Sequence, residues 1–285
     1  MIAVDPHLGT VVHVVEERQD RPNLPATGCP FCVGGIEAPE PYDVKSFPNR
    51  WPAMPDRRCE VVLYTPDHDA TFASLGVDGA RKVVDLWASR TARLGERDDV
   101  EYVLVFENRG AEVGATIAHP HGQIYAFDHV PSRPARRIAA GWEPEADPGE
   151  RLVRDHAGWR VWVPVAPVYP ISLAIAPTER AGDLPSLDDA RRTALAEVLV
   201  DMFGRLDRVF DQPLPYMWWF NQRPFTDHPR DDDVRPWLNL EIVSPWRAAR
   251  TPRFIAAAEV GCEEYFNPVD PAELAARLRQ IGEGG

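Results

Sequence analysis

The order of apolar segments along the chain predicts a protein of mixed strands and helices, built on a strand–helix–strand unit that occurs twice. Two observations carry this expectation. Apolar runs of strand length alternate with two long stretches whose apolar residues recur at helical spacing. The order of the first half (strand, loop, strand, helix, strand, motif, strand) also returns in looser form in the second half.

Taken in order, Val11 to Val15 reads as a buried strand that opens the fold. A Pro- and Gly-rich stretch from Pro22 to Gly35 follows and carries a Cys-Pro-Phe-Cys turn, and Phe47 to Pro52 reads as an irregular loop. Glu60 to Tyr64 reads as a strand ending at Thr65-Pro66-Asp67-His68. Asp78 to Leu94 has the helical spacing of Val83, Leu86, Trp87 and Leu94. Tyr102 to Phe106 and Ile124 to Phe127 are short strands on either side of a polar motif. Residues 129–150, rich in Pro, Arg and Glu, read as a loop or linker between an N-terminal half (residues 1–128) and a C-terminal half (residues 151–285). In the second half, Trp159 to Val165 and Ile171 to Ala176 read as strands. Asp188 to Phe210 is a long amphipathic helix with Leu195, Val198, Leu199, Met202, Leu206 and Val209 on one stripe. Tyr216 to Asn221 and Leu238 to Val243 are later strands, Asp227 to Arg235 a solvated loop, and Asp270 to Leu278 a terminal helix.

Bulk properties narrow the function. The 285 residues suffice for one large domain or two moderate ones, and 44% hydrophobic content belongs to a globular chain. No apolar run has the length of a membrane span, and Met1 to His7 has neither a basic nor an apolar leader region, so a cytoplasmic protein is expected. A net charge of −13 without any basic block argues against a nucleic-acid surface, which needs clustered Lys and Arg. A local group such as Arg18, Arg21 and Arg109 can still hold a small diphosphate. Four cysteines are too few for a disulfide framework. The Cys29–Cys32 spacing admits a metal site, a redox pair or two buried thiols.

The stretch Phe106-Glu107-Asn108-Arg109-Gly110, then Gly114, then His119-Pro120-His121-Gly122-Gln123 is the most informative part of the chain. Two histidines at i and i+2 on an extended segment point to one side. Pro120 between them disfavours a helix, and Gly122 permits a phosphate to approach the backbone. Imidazole is a good nucleophile for such chemistry, being largely neutral at pH 7 without a strong base.

This string resembles the active-site signature of the galactose-1-phosphate uridylyltransferases, the transferase branch of the histidine-triad superfamily. The resemblance implies an α+β fold: two histidine-triad-like halves, a mostly antiparallel sheet and flanking helices. It implies that His121 attacks the α-phosphorus of a nucleotide sugar, forming a nucleotidyl-histidine that a second sugar 1-phosphate discharges with ping-pong kinetics. Gln123 stands where histidine-triad hydrolases carry a third histidine. As a neutral donor it can stabilise charge on the α-phosphate but cannot serve as an acid, which favours transfer over hydrolysis.

The resemblance also implies one structural zinc site made of Cys29, Cys32, His68 and His119, with no ligand position left open for catalysis. Arg18 and Arg21 match an Arg-x-x-Arg-Pro segment that contacts nucleotide and phosphates. Asn49, Asn108 and Thr116 match positions near the nucleoside, the ribose or the phosphates, and Arg253 and Glu259 match a segment that meets the hexose. A second metal site is expected to be absent, because its four positions fall on Arg137, Asn221, Asn239 and Glu241. Ala258 replaces an aromatic residue in the hexose segment, so altered sugar preference is expected. The implied partners are a nucleotide sugar, a sugar 1-phosphate and a second copy of the chain, with no nucleic acid and no membrane. Two other readings compete: a nucleotide-sugar or dinucleoside-polyphosphate phosphorylase using the same histidine, and a zinc-stabilised nucleotide-binding protein without turnover.

Overall fold

Apolar runs too short for helices pair edge to edge into one nine-stranded sheet, and two amphipathic helices cover one of its faces. The computed structural model describes residues 1–16, 19, 28–225 and 236–284. The sheet strands are β3 (Lys45–Pro48), β4 (Cys59–Leu63), β5 (Tyr102–Arg109), β6 (His121–Phe127), β7 (Leu152–His156), β8 (Trp159–Trp162), β9 (Ile171–Pro177), β10 (Tyr216–Asn221) and β11 (Asn239–Ser244). Their order is β3-β4-β6-β5-β10-β11-β9-β8-β7, and every neighbouring pair is antiparallel. The two halves meet at the β5–β10 pair, and outward from it the order mirrors: β5, β6, β4, β3 on one side and β10, β11, β9, β8 on the other.

Each half inserts one long helix at the same point, α1 (Gly76–Gly95) between β4 and β5, and α3 (Asp189–Arg208) between β9 and β10. The α3 N-terminus is capped by Asp188, whose carboxylate accepts the Arg191 N–H at 2.8 Å. Both helices lie on one face of the sheet. Trp87 of α1 packs against Trp218 and Phe220 of β10, with ring centroids 4.9 and 5.7 Å apart, and Phe203 of α3 lies 4.9 Å from Tyr216. Strand alternation therefore sends Val103, Val105, Glu107, Tyr216, Trp218 and Phe220 toward the helices, and Phe106, Asn108, His121 and Gln123 toward the other face. A short helix, α2 (Ser132–Ala139), falls in the stretch expected to be loop. It packs on that other face, its Arg133 guanidinium 4.8 Å from the Trp219 ring centroid.

Other local expectations also change. Val11 to Val15 does not open the main sheet. Val11–His13 is β2 of a separate hairpin with β1 (Ile2–Val4), and its strand residues are exposed or half-buried because no helix among the described residues covers it. Phe47 and Pro48 belong to edge strand β3, a place where a proline lacking its N–H is tolerated. The C-terminal segment adds β12 (Trp246–Ala248), β13 (Thr251–Pro252), α4 (Ala257–Cys262) and α5 (Pro271–Glu283). Asp270 caps α5 by accepting from Ala272 and Glu273 N–H, with Pro271 at the first helical position. The expected loop at residues 227–235 lies outside the described residues.

Trp87 joins the two halves, touching Tyr64 and Phe72 as well as the β10 aromatics. Trp87→Ala should lower the unfolding free energy by about 3–5 kcal/mol, read from urea unfolding. A loss below about 1 kcal/mol would mean that the core does not hinge on this ring.

Candidate active site

Four strand ends converge at one place. β4 finishes at Leu63 opposite His121, the first residue of β6, and β5 finishes at Arg109 opposite Tyr216, the first residue of β10. The Pro120 carbonyl accepts the Tyr64 N–H at 3.4 Å, which continues the β4–β6 ladder one step past the strand.

His119, fully buried, faces the Cys-Pro-Phe-Cys turn. Its Nε2 lies 2.8 Å from the Thr65 carbonyl, which only accepts, so Nε2 carries the proton and Nδ1 the lone pair. That Nδ1 is 3.6 Å from Cys32 Sγ, and His68 Nδ1 is 3.5 Å from the same sulfur. The donor atoms of Cys29, Cys32, His68 and His119 all lie within 4.8 Å of one another. A tetrahedral ion with bonds of about 2.0–2.3 Å sets its ligand atoms about 3.3–3.8 Å apart, so the group needs little adjustment to close on one. Burial and the neighbouring Cys29 push the Cys32 thiol up, an effect that a bound cation reverses. The turn is tight: a Cβ at Gly35 would meet the carbonyls of Cys29, Pro30 and Cys32 at 2.6–2.8 Å. Tyr42 braces it by donating to the Phe31 carbonyl at 2.7 Å, its hydroxyl 3.0 Å from His119 Nε2. Burial pushes the Tyr42 phenol up to about 12, and the nearby thiols add to this, so it remains a donor.

His121 is half-buried, with its Nδ1 2.7 Å from the carbonyl of His119. The same logic puts the proton on Nδ1 and the lone pair on Nε2. Phe31, from the cysteine turn, meets the ring edge-on at 5.0 Å. The imidazole forms part of the wall of two cavities. One, about 290 Å³, is bordered by Asn108, Arg109, Gly110 and Thr71. The other, about 210 Å³, is bordered by Asn49, Trp51, Thr116 and Gln123. Asn49 is fixed by accepting the Trp51 N–H at 2.8 Å, and its Nδ2 lies 3.5 Å from Gln123 Oε1. His121, Gln123, Asn49, Asn108 and Thr116 are thus brought together.

Gly122 has a different local reason from the one its sequence suggests. Its missing side chain faces the helices, where a Cβ would collide with the Tyr64 hydroxyl. That hydroxyl donates at 3.0 Å to Glu107, which also accepts from Trp218 Nε1 at 2.9 Å and the Tyr216 hydroxyl at 3.1 Å. Burial pushes the Glu107 carboxyl up to about 7, outweighing these three donors and the Arg109 charge. Sequence reasoning missed Glu107 and Tyr64. Strand alternation was the available signal, since it turns Glu107 away from Asn108.

Other expected residues stand elsewhere. Arg18 and Arg21 lie outside the described residues. Arg253 and Glu259 pair with each other, and they border neither cavity. Arg253 also donates to the Phe266 and Val168 carbonyls at 3.0 and 3.1 Å, while Glu259 accepts from the Ala256 and Phe266 N–H groups. Arg137, Asn221, Asn239 and Glu241 do meet. The guanidinium lies 3.0 Å from Glu241 and donates to Asn239 at 3.1 Å, and Asn221 donates to both at 2.9 Å.

The chain is similar to several known proteins. The sequence model of the galactose-1-phosphate uridyl transferase N-terminal domain matches residues 37–131. The galactose-1-phosphate uridylyltransferase of Thermotoga maritima is 34% identical, with 92% of each chain covered. That of Streptomyces lividans is 36% identical over 91% of this chain and 80% of its own. The solved structure of a uridylyltransferase superposes with a TM-score of 0.89 at 28% identity, covering 99% of this chain and 98% of the other. Fold and relatives together define an enzyme of the nucleotidyltransferase class. The chain belongs to the galactose-1-phosphate uridylyltransferase family.

The raised Glu107 carboxyl links stability to pH. Its ordinary value is 4.5 and its value in the fold about 7, so the protonated form favours folding. That contribution is fully present below about 4.5 and is lost as pH rises through about 7, a change on the order of 3 kcal/mol. Urea unfolding between pH 4.5 and 8 should show this decline in the native protein and lack it in Glu107→Gln. Equal pH slopes in the two proteins would contradict the assignment.

Proposed function

We propose that the protein moves a nucleoside monophosphate, most simply UMP, between sugar 1-phosphates, with His121 as the transient carrier. The observation that carries this reading is the His121 Nδ1 to His119 carbonyl contact at 2.7 Å, beside two cavities that share the ring. The Nε2 lone pair attacks the α-phosphorus of the nucleotide sugar. The bond from that phosphorus to the bridging oxygen breaks, and the sugar 1-phosphate leaves with the electron pair. The carrier imidazole is then bonded to phosphorus at Nε2 and still donates from Nδ1. A phosphate oxygen of the second sugar 1-phosphate attacks the same phosphorus, the P–N bond breaks, and the lone pair returns to Nε2.

Neighbouring side chains have supporting roles in this scheme. The Gln123 amide sits two residues on, on the same face, where its N–H can meet charge growing on the α-phosphate. The cavity with Asn49, Trp51 and Thr116 suits a nucleoside and its phosphate. The one with Asn108 and Arg109 suits the departing and arriving sugar phosphates. Arg18 and Arg21 are assigned to the nucleotide phosphates, and Arg253 and Glu259 to the hexose, on the resemblance of their segments.

Cys29, Cys32, His68 and His119 would hold one zinc ion, which supplies structural rigidity and leaves the chemistry to His121. A reducing cytoplasm that keeps both cysteines as thiols fits that role. No second metal is assigned at Glu241, because the Arg137 guanidinium already supplies a positive charge there. The exposed apolar residues Ile2, Val4, Leu8 and Val12 of the N-terminal hairpin support a homodimer as the working form.

Incubation with UDP-glucose labelled in the α-phosphate should leave an acid-labile, base-stable adduct on His121. His121→Asn should fold normally and lose at least about 10⁴-fold in turnover, as expected when a covalent nucleophile is removed. A folded variant with near-native turnover would end the covalent scheme, and faster discharge by inorganic phosphate than by sugar 1-phosphates would make the enzyme a phosphorylase. Cys29→Ser should lower bound zinc and the thermal midpoint together, by elemental analysis and calorimetry. Native protein free of zinc after metal-replete expression would remove the ion from the scheme.

A further inference from the structure

Four carboxylates are buried among the described residues, and three of them face an arginine: Glu60 with Arg90, Asp183 with Arg223, and Glu259 with Arg253. Glu107 differs. Its hydrogen-bond donors are two phenols and an indole, all uncharged. Burying a carboxyl without a paired cation is unfavourable, and such groups concentrate where a site needs them. Neither phosphate displacement nor discharge uses Glu107 directly, since both move electron pairs between phosphorus, nitrogen and phosphate oxygen.

The position of Tyr64 shows what the carboxyl can do. The Tyr64 backbone N–H reaches the Pro120 carbonyl at 3.4 Å, and its ring is clasped edge-on by Phe72 and Trp87 at 5.5 and 5.7 Å. Its hydroxyl fills the place of a Gly122 side chain, directly beneath the peptide that links His121 to Gln123. The O–H then donates to Glu107 Oε2 at 3.0 Å. A continuous line of contacts runs from Glu107 through Tyr64 to the strand whose opposite face carries both active side chains.

We propose that Glu107 is a positioning residue for nucleotidyl transfer: by holding the Tyr64 hydroxyl against Gly122 it fixes the height and tilt of His121 and Gln123. The inference rests on the reading of His121 as the carrier. Without that acceptor the phenol loses its anchor, and the Gly122 peptide gains room to sink toward the helices. A misplacement of about 1 Å at reacting atoms costs on the order of 10²-fold in rate. Glutamine is a severe replacement despite its shape, because its NH₂ adds a donor among the Tyr64, Tyr216 and Trp218 donors.

The test compares Glu107→Gln, Tyr64→Phe and the double variant, with Glu60→Gln as a reference for the loss of a buried carboxylate elsewhere. Steady-state exchange is measured with UDP-glucose and galactose 1-phosphate, and single-turnover labelling follows formation and discharge of the His121 adduct. Tyr64 and Glu107 also reach the buried edge of the 290 Å³ cavity. Each single variant should lose about 10- to 100-fold in kcat with KM changed less than about threefold, because the geometry of the reacting atoms is altered more than the surface that meets substrate. The double variant should be no slower than the worse single one, since both break one line of contact. Formation and discharge should slow by the same factor. Glu60→Gln should lose thermal stability and keep kcat within about twofold.

Near-native kcat in folded Tyr64→Phe overturns the proposal, even if Glu107→Gln fails to fold. Independent, multiplying losses in the double variant overturn it as well. Transfer by native enzyme with no adduct on His121 would instead sink the carrier reading, while the kcat ratios would still decide the role of Glu107.

Discussion

A hydrogen bond between two residues of one short segment sets the state of the ring at the centre of the site. The His119 carbonyl takes the Nδ1 proton of His121 and so decides which nitrogen of that ring bears a lone pair. The same His119 turns its own ring into the cysteine turn, where the Thr65 carbonyl sets its tautomer in turn. One backbone carbonyl thereby ties the cysteine–histidine group to the His121 ring. Phe31 gives a second tie, because it sits between the two cysteines and meets His121 edge-on.

The sheet separates two kinds of work. On one face stand Asn108, His121 and Gln123, bordering cavities and partly open to solvent. On the other, beneath α1 and α3, lie Glu107, Tyr64, Tyr216 and Trp218, all buried, the first three reaching the inner edge of the larger cavity. Alternation along β5 and β6 makes this division without any extra chain. The mirrored order about the β5–β10 pair gives the second half the same framework. There the site opposite holds a guanidinium, two amides and a carboxylate in place of the histidine motif.

Much of this was legible in the sequence, and the failures have physical causes. The two long helices and the central strands follow from apolar period, because burial on one face writes a pattern. The placing of His121 beside Gln123 follows from a local motif, whereas the meeting of Cys29, Cys32, His68 and His119 was expected only from the family resemblance, since these residues are spread along the first half. Val11–His13 was misplaced because an apolar strand in an uncovered hairpin has the same composition as one in a core. Gly122 suggested room for a phosphate, since a sequence shows a missing side chain but not which face it is missing from. Glu107 escaped notice because its partners come from the residue just past β4 and from β10, 43 and 109–111 residues away. The mutual pairing of Arg253 and Glu259 likewise depends on how a turn folds back, which composition does not reveal.

The occupied space beneath Gly122 has a practical consequence for anyone redesigning this enzyme. A mutant library aimed at new sugars would naturally randomise the motif from 119 to 123 as a block. Position 122 offers no access to the ligand, and any larger residue there presses on a tyrosine whose ring is wedged between aromatic neighbours. Diversity placed at that codon would be lost to misfolding before any selection for substrate could act. The productive codons are those bordering the cavities, with the glycine left untouched.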